Sequence, residues 1–343
     1  MPFFADSFSR HPIPRLCLVL LGLLAGGCGA PSFLVTPVAN SNSLDEREVQ
    51  SGGWGGGKIA IVEVEGMLIN ARGGGFLAPT ENPVSKFAQQ LEAAQRDSSV
   101  KAVVLRINSP GGTVTASDTM YELLRKFRKD TGKPIVASTQ EVAASGGYYV
   151  ACAADTIVVQ PTSVVGSIGV IFESVTFKGT LDKIGVTATS IKSGYLKDIG
   201  SPWKLLQDDE RGIMQQLVDE YFARFVAVVK QHRRVTESVA GDLNDYKKTS
   251  YTGVYSGRVF SGAKAVELGL ADQTGLLSDA IDIARKLSKS PKASAVMYSR
   301  PYGYGGSIYA SSPSPPPPSG VVQLSLPEQA GLLPTGFYYL WRP

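Results

Sequence analysis

Histidine is almost absent from this chain: His11 and His232 are the only two in 343 residues, and the three cysteines (Cys17, Cys28, Cys152) are scattered. That scarcity excludes a His/Cys metal cluster and a disulfide framework, and it removes the base used by most nucleophilic enzymes. Charge is also sparse, at 19% of residues with a net +4, too weak over this length to indicate nucleic acid as a partner. What is present is 43% apolar residues, 37 Gly and 21 Pro. This is the composition of a globular body, with material for one large domain or two small ones.

The N-terminus reads as an address. Arg10 and Arg15 precede an apolar run over residues 16–25, followed by Gly26-Gly27-Cys28. A positive start, a short apolar stretch and small residues at its end describe a secretory signal. The run is well short of the roughly 20 residues that a spanning helix needs. The string LAGGC resembles a bacterial lipobox, with Ala25 where that pattern carries Leu, Val or Ile. Residues 1–27 are therefore expected to be a signal peptide and Cys28 a lipidated first residue, placing the protein on the extracytoplasmic side of a bacterial cell membrane. Ordinary secretion and an uncleaved anchor are the alternatives.

Residues 28–57, with SGGWGGG at 51–57, read as a flexible tether. From Lys58 the periodicity changes. Ile59-Ala60-Ile61-Val62-Glu63-Val64 predicts a strand, and Asn82-Pro83 an N-cap and first helical residue. Val84, Phe87, Ala88, Leu91 and Ala94 then give that helix one apolar face. Residues 100–107 read as a largely buried strand. A helix with Met120, Leu123, Leu124 and Phe127 follows, closed by Gly132 and Pro134, and then a strand over 134–138. This alternation predicts an α/β fold of stacked βαβ units with a parallel sheet. A long amphipathic helix is expected over 208–232, and two short ones within 261–288, broken at Gly269 and Gly275. Beyond Lys289 the pattern decays into SSPSPPPPSG and GFYYLWRP, so 290–343 is expected to be an irregular Pro-rich and aromatic tail.

Three glycine-rich stretches invite a chemical reading. Residues 52–58 satisfy G-x-x-x-x-G-K, but Ile59 begins a strand where a phosphate loop needs Ser or Thr and a helix. Asn108-Ser109-Pro110-Gly111-Gly112-Thr113 lies where a buried strand gives way to a helix. Consecutive glycines there leave backbone N–H groups open to an oxygen near a helix N-terminus, the construction of an oxyanion hole. Ala143-Ala144-Ser145-Gly146-Gly147 repeats the arrangement after the next strand, presenting a hydroxyl between residues too small to cover it. The bland readings are a plain glycine turn and a serine that caps its helix. Two such corners after successive parallel strands fall side by side at one end of the sheet, where such folds place their sites.

A serine hydroxyl needs a base. His232, in Lys230-Gln231-His232-Arg233-Arg234, reads as the solvated cationic end of the long helix, complementing its dipole. A Ser–His–Asp triad is thus not expected, and lysine is the remaining base. At an unperturbed pKa near 10.4, only about one lysine in 2,500 is neutral at pH 7; burial must lower that value by roughly 3 units, at about 4 kcal/mol. Lys197 lies in Lys192-Ser193-Gly194-Tyr195-Leu196-Lys197-Asp198-Ile199-Gly200, a loop expected to follow a strand over 188–191. Spacing alone leaves Lys192 and Lys204 equally open.

INSPGGTV, VAASGGYYVACAAD, VVGSIGVI, IKSGYLKDIGSP and GRVFSGAKAVELGLAD, in that order, resemble the signal peptide peptidase A family of serine peptidases in its short, single-domain form. The likeness implies a Clp/crotonase-like fold, a stacked ββα superhelix with a parallel sheet, as a single catalytic domain over 58–289. It implies Ser145 as nucleophile, Lys197 as general base, Gly112 and Gly146 as oxyanion donors, and Ser167 as a partner orienting the lysine. It further implies extended apolar peptides such as cleaved signal peptides as substrates, no metal or cofactor, membrane association, and a homo-oligomeric ring whose sites are shared between adjacent subunits. The competing readings are a crotonase-type acyl-CoA hydratase or hydrolase, and a membrane-tethered ring scaffold without catalysis.

Overall fold

The computed structural model describes residues 44–71, 81–236, 253–300 and 335–342. The expected signal segment and Cys28 lie outside the described residues. In chain order the elements begin with β1 (Asp45–Gln50), β2 (Lys58–Leu68), α1 (Pro83–Arg96), β3 (Val100–Thr113), α2 (Val114–Thr131) and β4 (Ile135–Ala144). They continue with α3 (Gly146–Ala151), β5 (Thr156–Val159), β6 (Val164–Gly166), β7 (Ile171–Glu173), α4 (Lys178–Lys183) and a 3-10 turn at Tyr195–Asp198. After these come α5 (Asp208–His232), β8 (Val259–Ser261), α6 (Gly262–Glu267), β9 (Gln273–Thr274), α7 (Leu277–Leu287), β10 (Ser294–Ser299) and β11 (Gly336–Leu340).

The sheet runs β1-β10-β2-β3-β4-β5-β9, and every pairing from β10 to β9 is parallel. Period-2 alternation explains why its central strands are apolar throughout. Ile59 and Ile61 of β2 face Leu277, Ala280 and Ile281 of α7, whereas Ala60, Val62 and Val64 face a larger cluster with Phe87, Leu91, Met120 and Leu124. Local chemistry sets the helix ends. Asn82 Oδ1 accepts from the Ser85 amide at 3.0 Å ahead of Pro83, and Gly132 closes α2 at φ 65°.

Besides pairing with each other, with a register shift between Ile107 and Ser109, β3 and β4 are long enough to serve two further strands each. Residues 136–139 of β4 pair with β5, and residues 142–144 pair with β6, which in turn pairs antiparallel with β8. The end of β4 thus passes from β5 to β6 while the end of β3 stays paired with β2, and the two glycine corners come to lie beside each other.

The structure departs from the sequence expectations at both margins of the domain. The expected tether contains β1, and the expected irregular tail contains β10 and β11. β10 inserts between β1 and β2, burying Ala295, Val296 and Met297, so the sheet is not complete at residue 289. Conversely, residues 188–191 are exposed coil, and among the described residues no strand pairs with them.

Candidate active site

Ser145 stands between β4 and α3 at φ 51°, ψ −114°, one of three described non-glycine residues at positive φ. Such a conformation costs of order 1–3 kcal/mol and persists only where the surroundings enforce it. Here they do so through the backbone. The Ser145 amide donates to the Gly166 carbonyl at 2.7 Å, and its carbonyl accepts from the Tyr149 amide at 2.8 Å. The side chain makes no capping bond, so the helix-cap reading of this serine fails. Its neighbours are glycines of necessity: a Cβ would come within 2.3 Å of Ser117 Oγ at Gly146 and 2.6 Å of the Ser109 carbonyl at Gly147.

The other corner meets this one. Gly111 adopts φ 102°, and its amide donates to Ser109 Oγ at 3.1 Å, while that hydroxyl donates to the Gly66 carbonyl at 2.6 Å. A Cβ on Gly111 would lie 2.6 Å from the Gly146 nitrogen, and one on Gly112 would strike the Leu68 carbonyl. Ser167 follows the Gly166 carbonyl that holds Ser145. It is buried, sits at φ 52°, and donates its amide to the Arg258 carbonyl at 2.8 Å. A cleft of about 480 Å³ opens beside Ser167, walled by Ile168, Val170, Phe222, Tyr255 and Leu340. The chain therefore brings Ser145, Gly112, Gly146 and Ser167 to one place.

Sequence reasoning missed the element that borders this place. β11 runs antiparallel to the end of β3 (Tyr339 opposite Gly112) and antiparallel to β7 (Phe337 opposite Phe172). The Trp341 amide donates to the Pro110 carbonyl at 2.8 Å. Bonded pairs alternate along an antiparallel ladder, so the next is Tyr339 with Gly112, which aims the Gly112 N–H at the Tyr339 carbonyl. That same carbonyl oxygen lies 2.0 Å from where a Gly111 Cβ would be and 3.1 Å from where a Gly146 Cβ would be. The signal was the aromatic, strand-favouring run Phe337-Tyr338-Tyr339, obscured by the proline segment before it.

Lys197 is not brought to the corner. It is exposed on the 3-10 turn, and among the described residues no hydrogen bond or ion pair joins it to Ser145 or Ser167. Its neighbour Asp198 is occupied elsewhere: Lys192 Nζ lies 2.6 Å and Lys204 Nζ 2.7 Å from its Oδ1, and their hydrogen bonds hold its carboxyl down at about 2. Lys204 also pairs with Glu210, and its two carboxylate partners, Asp198 first, push its pKa up. A lysine held charged in this way is unsuited to serve as a neutral base.

His232 also departs from expectation. Rather than a solvated cation, it is a half-buried ring at 2.8 Å from the Tyr121 hydroxyl. Burial lowers its pKa first, with Arg233 and Arg125 adding to the shift.

Peptidase family S49 matches residues 127–290, and the Clp protease family matches residues 64–167. A protein named as a signal peptide peptidase SppA in Enterococcus faecium is 33% identical over 75% of this chain and 71% of its own. A protease of Methanocaldococcus jannaschii is 31% identical over 82% and 85% respectively, and Protease 4 of Haemophilus influenzae is 32% identical over 70% and 36%. With a Clp protease-like α/β body and relatives that match over most of this chain, the chain belongs to the signal peptide peptidase A and protease 4 family of serine proteases.

Proposed function

We propose that Ser145 is the nucleophile of this protease and that Lys197 of an adjacent copy is its general base. The supporting observation is the conformation of Ser145: a strained, uncapped serine fixed by backbone bonds beside two glycine corners. Strain of this kind needs a reason, and presentation of a nucleophile supplies one. In the proposed reaction neutral lysine takes the Ser145 proton as the oxygen attacks a peptide carbonyl. The N–H groups of Gly112 and Gly146 hold the oxyanion, the lysinium protonates the leaving amine, and water then releases the acyl group.

Three features favour a second copy as the source of the base. Lysine must be desolvated to lose its charge, whereas Lys197 is exposed on its own chain. Around it lie exposed apolar side chains, Ile191, Tyr195, Leu196, Trp203 and Leu205, that another copy would cover. The cleft beside Ser167 offers an incoming amine a hydroxyl partner. The homo-oligomeric ring belongs to this proposal. So do the substrates, extended apolar peptides such as cleaved signal peptides, and the membrane tether through Cys28. Among the described residues no helix is long and apolar enough to cross a membrane.

The test is intact mass after treatment with a serine-directed phosphonate. An adduct on Ser145, absent from Ser145→Ala, is the expected result; labelling elsewhere, or none on the assembled protein, would reject the nucleophile.

A further inference from the structure

Each glycine corner is the start of a helix, and the two helices are tied to each other. α2 opens with Thr113 as its cap, directly after Gly112, and α3 opens at Gly146, directly after Ser145. The Thr113 side chain accepts from the Ala116 amide at 3.3 Å, and the Ser117 hydroxyl donates to the Thr113 carbonyl at 3.0 Å, so the first turn of α2 moves with Gly112. Across from it, the Tyr149 amide donates to the Ser145 carbonyl at 2.8 Å, so the first turn of α3 moves with Ser145 and Gly146. Asp118 stands between these turns. Its Oδ1 accepts from the Tyr149 hydroxyl at 2.7 Å and from Arg224 Nε of α5 at 2.8 Å. We propose that Asp118 is a positioning residue for the reaction: by holding Tyr149 it fixes the spacing of the Gly112 and Gly146 amides, while Arg224 keeps its carboxylate aimed. This rests on the serine-protease reading of Ser145.

Two donors carried by different strands need such a tie, because an oxyanion hole works only where both amides meet the same oxygen. Packing sets a limit in one direction. A Cβ on Gly146 would come within 2.3 Å of Ser117 Oγ, so α2 and α3 already touch at these residues. A contact of that kind resists approach but not separation. The Tyr121 ring meets the Tyr149 ring edge-on with centroids 5.1 Å apart, which adds attraction with a loose preference for distance. A hydrogen bond has a preferred length and direction, and one to a carboxylate is stronger than a neutral pair.

The groups are suited to that task. Tyr149 is fully buried, and burial first, then Asp118, push its pKa up, so the phenol keeps the proton it donates. Asp118 is half-buried, with Arg224 Nη2 at 2.7 Å as its counter-ion, and Arg224 also reaches Glu122 at 3.4 Å. Ser117 on one side and Asp118 on the next thus act as a stop and a tether on the same helix turn. The stop keeps the corners from closing and the tether keeps them from opening.

The experiment compares assembled wild type with Tyr149→Phe, Asp118→Ala, Asp118→Asn and the double variant Tyr149→Phe/Asp118→Ala. Tyr149→Phe keeps the buried ring and removes only the donor, so it carries the test even where Asp118→Ala loses stability. Each of these two single variants is expected to lower kcat on a short peptide about tenfold with KM unchanged, since the donors act in the transition state. The double variant should lose no more than the single ones, because both act through one bond. Asp118→Asn keeps an acceptor for the Tyr149 hydroxyl and should recover most of the loss. The phosphorus NMR resonance of phosphonylated Ser145, whose P=O oxygen occupies the oxyanion site, is a readout that a merely structural role would not move. In Tyr149→Phe it should shift from the wild-type position toward that of the unfolded adduct. Unchanged kcat in both single variants, or a lowered kcat with the wild-type resonance, would overturn the proposal. A wild-type assembly that takes no adduct on Ser145 would instead reject the serine-protease reading, and the proposal with it.

Discussion

The Ser145 corner and the Lys197 segment are built on opposite plans. The corner is buried, its backbone pinned to Gly166 and Tyr149, and its glycines have no room for a side chain. The Lys197 segment is an exposed 3-10 turn whose neighbours are tied by the ion pairs of Lys192 and Lys204 to Asp198. A nucleophile gains from rigid presentation, since misplacement of the attacking atom is costly. In the proposed mechanism the lysine base is covered only at assembly, so peptide hydrolysis cannot start in a lone chain. In this account one half of the machinery is finished by folding and the other by association.

Substitutions can break that contrast at different depths. The largest effects should come from the two proposed reacting groups: Ser145→Ala and Lys197→Ala should each lower peptide kcat by about 10⁴ or more, with assembly size unchanged by light scattering. Next is the rigidity of the corner. Gly146→Ala drives a Cβ into Ser117 Oγ and should shift the proposed donor amide, costing about 10²-fold in kcat. Adding Ser117→Ala removes that oxygen and should recover part of the loss; no recovery would mean that the clash is not the cause.

Smaller effects are expected on the Lys197 side. Asp198→Asn leaves Lys192 and Lys204 without their shared partner and loosens the turn; a loss of about fivefold in kcat/KM at low salt, shrinking as salt rises, would fit ion pairs open to solvent. The smallest concerns His232. Burial lowers its folded pKa below the ordinary 6.5, so the unfolded chain binds the proton more readily. Stability contributed by the neutral ring is complete above 6.5 and is lost as pH falls through that value toward the folded pKa. His232→Gln should therefore flatten the fall in Tm between pH 7.5 and 5.5 by about 2–4 °C relative to wild type.

How much of this was legible depended on the range of the forces involved. Strands β2 to β4 and helices α1, α2, α5, α6 and α7 could be read because period-2 and period-3.6 burial and caps such as Asn82 and Gly132 are written locally, whereas the short strands β5 to β9 carry too few residues to show a period. The Ser145 corner could be suspected from its glycines, but whether the serine capped a helix was settled only by its φ and its missing cap bond. β1, β10 and β11 were hidden because each is strand only by virtue of a distant partner: β10 by β1 and β2, β11 by β3 and β7. The ties of Asp198 to Lys192 and Lys204 were likewise beyond spacing, since three lysines in one loop can point in any direction. His232 misled because a basic helix end usually faces water, and here Tyr121 receives it.

The division of labour between folding and association is tested most directly by mixing the two inactive proteins. Ser145→Ala and Lys197→Ala chains, dissociated and reassembled together, place some intact Ser145 corners beside an intact Lys197 of the partner subunit. The account predicts that peptide hydrolysis, absent from either variant alone, returns in the mixed assemblies. Mixed assemblies shown by mass to contain both chains, yet still inactive, would contradict it.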